Sequence, residues 1–513
     1  MTDGLLDNLD FSKLADVLSY DKTSPLLFNS GLFFFLFIGF LIIYMSLRKN
    51  LMARIVYVTL FSLYFYYKSS GLYFLLLVFI ATSDFFIGKG IAFSTSNKIR
   101  KALLVLSLTI DLGLLAYFKY FNFFVESLLS IGKSVAGWIG IETLNGVEHE
   151  PLDIFLPIGI SFFMFQTISY IVDIYKGMIQ PVRRWVDYLF YVSFFPQLVA
   201  GPIVRAKDFI PQIYKNPTLS NAEMGEGIFL IVSGLFKKAI ISDYISMNFV
   251  DRVFDQPLLY TGVENLAAVY GYALQIYCDF SGYSDMAIGI ALLLGFRFNI
   301  NFDSPYQSAT ITEFWRRWHI SLSSWLKDYL YISLGGNRKG KLRTYFNLMT
   351  TMLLGGLWHG ASVNFILWGG LHGVSLAAHK VLMSVFPNMK ATGHEMKPWV
   401  RVAGMVITFH IVCFGWILFR AKSLLTVADI NRQIFTNFHS EVIPQFVSGY
   451  SFVLVLMIVG YMLHIVPKRG ETFCKEMVGK ANWTLQACLL AAFVFLVVQF
   501  RSAGVQPFIY FQF

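Results

Sequence analysis

His359 lies in the run LLGGLWHGASVNFILWGGLHG, with Gly355, Gly356 and Gly360 around it. Glycine lets a neighbouring backbone or a substrate come close. A neutral imidazole in so apolar a setting is suited to accept a hydroxyl proton and later return it, the task of a general base; on spacing alone, a structural histidine is the commoner reading. A second histidine, His319, stands earlier, within FWRRWHISLSSWLKDYLYI. Two further groups put polar side chains among apolar ones: Gln275, Asp279, Ser281, Ser284 and Asp285 in YALQIYCDFSGYSDMAIGIALLLGF, and Lys237 with Lys238 in GLFKKAI. For the first group, interhelical hydrogen bonding and substrate contact are both open readings. The lysines are expected to snorkel or to pair with Asp279 or Asp285.

Other chemistries lack their residues. His394-Glu395 begins like a zinc-protease motif, but Pro398 stands where the second histidine belongs. Neither a phosphate-binding GxxxxGK[ST] loop nor a GxSxG elbow is present. Cys278, Cys413, Cys474 and Cys488 have no CxxC spacing, which gives neither a disulfide framework nor a metal site. His372, His379, His410, His439 and His464 have no evident ligand partners and read as structural.

The elements that must position these residues are set by composition. The chain has 513 residues, 56% hydrophobic, 17% aromatic and 14% charged, with a mean hydropathy of +0.59. A soluble domain carries about 25% charged residues, so the polar surface that water requires is missing. The apolar residues gather into runs long enough to cross a bilayer, which takes roughly 20 residues each. Candidate spans are Leu27–Leu47, Ala53–Lys68, Leu72–Gly88, Ala102–Val125, Ile154–Asp173, Gly227–Ile245, Ala267–Phe296, Tyr345–Gly360, Asn364–Val385, Trp399–Phe419, Tyr450–Val466 and Trp483–Phe500. The fold class is all-α, a polytopic membrane protein. No internal repeat of the transporter kind is visible.

Net charge is +10, which in a membrane protein reflects cytoplasmic loops rather than nucleic acid as a partner. Arg48, Lys49 and Arg54 follow the first span; Lys89, Lys98, Arg100 and Lys101 the third; Lys176, Arg183 and Arg184 the fifth. Between spans four and five stand Glu126, Glu142, Glu148, Glu150 and Asp153 against Lys133. The positive-inside rule then places the N-terminus, residues 1–26, outside. That segment, with Asp3, Asp7, Asp10 and Asp16, does not read as a cleaved leader. Residues 27–513 read as one membrane domain with its signature region at 154–385.

Tyr188–Val204 is apolar but flanked on both sides by cations, Arg183 and Arg184 before it and Arg205 and Lys207 after it. Pro196 and Pro202 would also leave backbone groups unpaired in lipid. A re-entrant element that returns to the cytoplasm resolves both problems. The polar stretch Arg297–Arg343 then lies on the cytoplasmic side, and Phe314–Ile332 within it suits a helix lying in the interface.

Five blocks in order carry a resemblance: LPIGISFFMFQTISYIVDIYKG (Leu156–Gly177), FFPQLVAGPI (Phe194–Ile203), YCDFSGYSDMAIG (Tyr277–Gly289), FWRRWHISLSSWLKDYLYISLGG (Phe314–Gly336) and GGLWHGAS (Gly355–Ser362). Together they resemble the membrane-bound O-acyltransferase (MBOAT) family, in its bacterial alginate O-acetyltransferase-like branch. The ending PFIYFQF and the overall length look like that branch too. The resemblance implies a bundle of about 11–12 spans plus re-entrant segments around a central tunnel. It puts the family's tunnel histidine on His359 and its second active-site position on His319, and makes Asp279, Ser284, Trp358 and Asn364 candidates for the tunnel lining.

The resemblance further implies a thioester donor, acyl-CoA (acetyl-CoA) or an acyl carrier protein, with no bound cofactor. Phosphates of coenzyme A would meet Arg316, Arg317, Arg338, Lys339 and Arg343. The acceptor would be a hydroxyl of a periplasmic or membrane-anchored partner, with polysaccharide as final acceptor, at the bacterial cytoplasmic (inner) membrane. D-alanyl or longer-chain transfer within the family stays open, as does a transporter or a scaffold of a polysaccharide export complex.

Overall fold

The computed structural model describes residues 11–138, 150–386, 397–500 and 508–509. Asp3, Asp7, Asp10, Glu142, Glu148, His394 and most of PFIYFQF lie outside them. Every regular element among the described residues is helical. The helices that frame the two units and the site include α1 (Gly31–Leu47), α2 (Leu51–Ser70), α3 (Phe74–Phe93), α4 (Asn97–Leu115), α5 (Phe121–Trp138), α6 (Ile160–Tyr175) and α7 (Trp185–Ser193). They continue with α8 (Asn221–Leu235), α9 (Gly262–Leu293), α10 (Ile311–Arg317), α11 (Ile320–Trp325), α12 (Lys341–His359), α13 (Val363–Val385) and α14 (Pro398–Arg420). After these come α15 (Leu424–Thr436), α16 (Ser451–Ile465), α17 (Lys468–Lys480) and α18 (Trp483–Phe500). The chain divides into two compact units, one of residues 1–118 with 154–218 and one of residues 119–153 with 219–513.

In the first unit α1 is apolar all round. Phe33, Phe37 and Phe40 recur at helical spacing and turn their rings onto Phe195, while Phe35 (76% exposed), Ile38 and Ile42 face outward. A helix with apolar residues on both its buried and its outward face is built for lipid rather than water. Polar groups inside this unit are joined to one another: Ser107 donates to Asp84 at 2.7 Å and Thr167 to Asp111 at 3.0 Å. By length and composition, Leu51–Phe93, Asn97–Trp138 and Pro398–Arg420 are long and apolar enough to cross a membrane, with two bent pairs besides.

Tyr188–Val204 is not a span. It folds as α7, a break at Phe194 and a single turn over Phe195–Leu198, and every residue in it is buried in protein. Neither piece is long enough to cross, and burial supplies what lipid would deny to the broken backbone.

The second unit is organised on α9, 32 residues long. It begins with a capping box in which Thr261 and Glu264 satisfy each other's backbone donors. Its neighbour α8 approaches so closely that a Cβ on Gly234 would run into the carbonyl of Gly282. Beyond α8 the chain loosens into π turns at Phe236–Ser242 and Ser246–Val250, so the expected span Gly227–Ile245 is not one regular helix. The first π turn carries both lysines onto the acids of α9. Lys238 bonds Asp279 at 2.5 Å and Asp243 at 2.8 Å, and Lys237 bonds Asp285 at 2.5 Å.

Phe314–Ile332 also differs from expectation. It is three pieces: α10, then α11, then a π turn at Leu326–Tyr331, with the first break at Trp318–His319. The reason lies outside the segment. Asn301 takes the backbone N–H groups of Ile320 and Ser321 onto its carbonyl and side-chain oxygens, at 2.9 and 3.1 Å, so the helix restarts there.

Candidate active site

His359 is the last residue of α12 and is 3% exposed. The hairpin of α12 and α13 positions it. A Cβ on Gly356 would meet the carbonyl of Phe365, and one on Gly360 would enter the Phe365 ring. Both glycines are therefore required by close approach, as the sequence suggested. Three aromatic rings box the imidazole: Trp358 at 4.9 Å, Trp368 at 4.9 Å and Phe419 at 5.1 Å between centroids, all edge to face.

His319 begins α11 in the left-handed region, φ 42° and ψ 58°, and is fully buried. Its ring packs on Phe280 at 4.6 Å. Its Nδ1 lies 3.2 Å from Oδ1 of Asn301, the same oxygen that accepts from the Ser321 N–H at 3.1 Å and the Ser321 hydroxyl at 2.9 Å. A backbone N–H can only donate, which fixes that atom of Asn301 as the carbonyl oxygen and makes Nδ1 of His319 the donor. Nε2 then carries the lone pair. Burial also pushes the His319 imidazole down to about 3, so the ring stays neutral. Behind it, the Asn301 amide donates to Ser284 at 3.3 Å.

The two histidines meet on one side chain. The Trp358 ring is 6.3 Å from that of His319 and 4.9 Å from that of His359. Of the four lining candidates, Trp358 thus touches both histidines, and Ser284 stands two hydrogen bonds from His319, through Asn301. Asp279 is committed elsewhere: Lys238 takes one oxygen and the Ile509 N–H the other at 2.9 Å. Asn364 donates to the Ala421 carbonyl at 2.7 Å, which ties α13 to the end of α14.

Among the basic candidates, Arg316, Arg338, Lys339 and Arg343 are exposed. Arg317 instead pairs with Glu313 at 2.8 Å. Among the described residues no group of three His, Cys, Asp or Glu is placed to hold a metal ion. The histidines read as structural mostly have partners: His464 accepts from the Tyr306 N–H, His379 bonds Thr312, His410 bonds Tyr270 and His439 bonds Glu441. His372 is fully buried against Phe314, Trp315 and Trp368.

Sequence reasoning missed three residues. Asn301 lies in an irregular stretch and carries no local signal. Lys119 donates to the carbonyls of Trp358 and His359 at 2.7 and 2.9 Å, and Tyr120 donates to that of Leu357 at 2.9 Å. A lysine inside an apolar span was the available clue for Lys119.

Known proteins align with most of this chain. The profile of the "MBOAT, membrane-bound O-acyltransferase family" matches residues 184–419, which contain both histidines. A "Probable alginate O-acetylase AlgI" of Pseudomonas putida is 36% identical over 510 residues, covering 95% of this chain and 100% of the relative. A "Peptidoglycan O-acetyltransferase" of Helicobacter pylori is 37% identical, covering 80% of each chain. A "Teichoic acid D-alanyltransferase" of Bacillus subtilis is 29% identical over 54% of this chain and 71% of its own. Identity at that level along an entire relative reflects a shared fold rather than a shared motif, and the chain belongs to the membrane-bound O-acyltransferase family, an enzyme of the acyltransferase class.

Proposed function

We propose that this enzyme moves an acetyl group from a cytoplasmic thioester across the membrane to a hydroxyl on an extracytoplasmic acceptor or partner protein, in O-acetylation of a polysaccharide or of the cell envelope. The observation that carries the reading is the meeting of two buried histidines on one indole, Trp358, inside the stretch that matches the family. The names of the Pseudomonas and Helicobacter relatives support acetyl as the group transferred. That of the Bacillus relative keeps D-alanyl transfer as the second reading.

In this mechanism His359 is the general base. It takes the proton of the acceptor hydroxyl as the oxygen attacks the thioester carbonyl. The C–O bond forms, the C–S bond breaks, and the proton passes from the imidazole to the departing thiolate. Aromatic walls on three sides keep water from competing. His319, neutral and with its lone pair on Nε2, is suited to accept a hydrogen bond from an amide N–H of the donor's pantetheine arm. That tautomer favours holding the thioester over polarising its oxygen. Arg316, Arg338, Lys339 and Arg343, exposed on the donor side in this reading, meet the phosphates of acyl-CoA or of an acyl carrier protein. The multi-pass arrangement in a bacterial inner membrane supplies the two faces that the transfer needs.

The test is ester-linked acetate, released by mild alkali from surface polysaccharide and peptidoglycan of cells carrying wild-type protein, His359→Ala or no protein, at matched membrane levels. A positioned base contributes about 10²–10⁴-fold, so acetate is expected with wild type alone. Wild-type acetate from the His359→Ala cells would remove the catalytic assignment. D-alanine esters in place of acetate would replace the acetyl donor with the second reading.

A further inference from the structure

We propose that Lys119 and Tyr120 form a clamp that positions His359, and that this adjacent pair sets the catalytic rate without touching substrate. The inference rests on His359 being the base. A helix leaves its last carbonyls without intrahelical donors, and at a surface water supplies them. The end of α12 is not at a surface: Trp358, His359 and Gly360 are all buried. Beyond His359 the chain turns to an extended conformation at Gly360, φ −165° and ψ 154°, so the helix does not continue past its last carbonyls.

Three consecutive carbonyls are instead taken by two consecutive side chains. Tyr120 donates to Leu357, and Lys119 donates to both Trp358 and His359. An ammonium at the negative end of a helix dipole has the favourable polarity, and the Lys119 Nζ lies 5.9 Å from the Trp358 ring centroid. The local structure that carries the pair is a π turn, Ala116–Tyr120, between α4 and α5. π turns inside helices recur at functional sites.

An ionised lysine in the apolar interior is costly to keep. Here its donors go to the main chain of the residue that bears the base and of the indole that joins the two histidines. Loss of either donor lets the last turn of α12 relax and the imidazole drift, and a misplacement of about 1 Å at a reacting centre costs on the order of 10²-fold.

The experiment uses the full-length protein in lipid nanodiscs with acetyl-CoA as donor, following thiol release with a saturating hydroxyl acceptor. The variants are Lys119→Met, Lys119→Arg, Tyr120→Phe and His359→Ala, each with its unfolding midpoint measured. Lys119→Met is expected to lower kcat roughly 10–100-fold while KM for the donor stays within about twofold. Lys119→Arg, which keeps the cation and its donors, recovers most of that loss. Tyr120→Phe, which removes a single hydrogen bond, lowers kcat about fivefold. If Lys119→Met fails to fold, Tyr120→Phe decides alone. Wild-type kcat in Lys119→Met and Tyr120→Phe beside an inactive His359→Ala overturns the clamp and leaves the base assignment standing. A loss confined to KM, or one that merely follows the amount of folded protein, also overturns it. Full activity in His359→Ala removes the reading on which the clamp rests.

Discussion

Asn301→Ala puts the His319 network to its hardest test. Asn301 is 1% exposed, and its Oδ1 accepts from the Ser321 N–H, the Ser321 hydroxyl and Nδ1 of His319. The Ser321 hydroxyl can rotate to another acceptor, but the other two donors are fixed by backbone and ring. Each buried donor left without a partner costs about 1–3 kcal/mol. Against that, His319 is held at φ 42°, a conformation that costs a non-glycine residue about 1–2 kcal/mol and that the variant is free to leave. Roughly 2–6 kcal/mol is lost and 1–2 recovered, so the net expectation, taken between the midpoints, is a destabilisation of about 2.5 kcal/mol.

Catalysis should fall more steeply than stability, because the Nδ1 proton loses its fixed acceptor and the ring its orientation. Asn301→Asp separates the two effects. A carboxylate keeps all three acceptor bonds, but the negative charge favours the doubly protonated ring. Nε2 then becomes a donor and can no longer accept. Unfolding in nanodiscs and steady-state kinetics with acetyl-CoA read both quantities. Asn301→Asp should lie nearer wild type than Asn301→Ala in unfolding midpoint, yet lose at least tenfold in kcat/KM. Wild-type kinetics in Asn301→Asp would refute the argument that a second proton on His319 stops the reaction.

Lys238→Met leaves Asp243 and Asp279 without their shared cation in a buried setting. It should destabilise the second unit by about 3–5 kcal/mol, read as a lower unfolding midpoint, and Asp279→Asn added to it should recover part of the loss. Gly356→Ala pushes a methyl at the Phe365 carbonyl. Overpacking of this kind costs about 1–3 kcal/mol, and turnover should fall with it, whereas Gly370→Ala, which would meet only the Leu353 side chain at an ordinary van der Waals distance of 3.7 Å, should leave both near wild type. Arg338→Ala, Lys339→Ala and Arg343→Ala together should raise KM for acetyl-CoA roughly tenfold at low salt and less at high salt, as screening predicts for exposed charges. An unchanged KM at low salt would detach these residues from the donor.

The class of the fold was legible in the sequence, because it is a property of local composition: apolar runs of span length announce the helices. The glycines around His359 announced close packing there, while the roles expected of His359 and His319 came from the family resemblance. Intramembrane lysines paired with the acids of α9 were also within reach, since a buried charge in lipid must find an opposite one. Where the helices bend was less accessible. The break at His319 depends on Asn301, which captures the N–H groups of Ile320 and Ser321 across an intervening helix, and no propensity at Trp318–Ile320 encodes it. The donor state of Nδ1 has the same origin, one carbonyl oxygen shared among three donors.

Asp279 marks the opposite case. Its sequence context suggested a tunnel wall, and only the packing of α9 against the π turn at Phe236–Ser242 assigned its oxygens to Lys238 and to the Ile509 N–H. So too for Lys119 and Tyr120, whose partners stand more than 230 residues away at the end of α12. The sequence by itself determined which side chains this protein has available for chemistry and that they lie in apolar surroundings. The tertiary structure alone decided which of them share hydrogen bonds, because in a low-dielectric interior every polar group must find a partner and the nearest one in space is rarely the nearest in sequence.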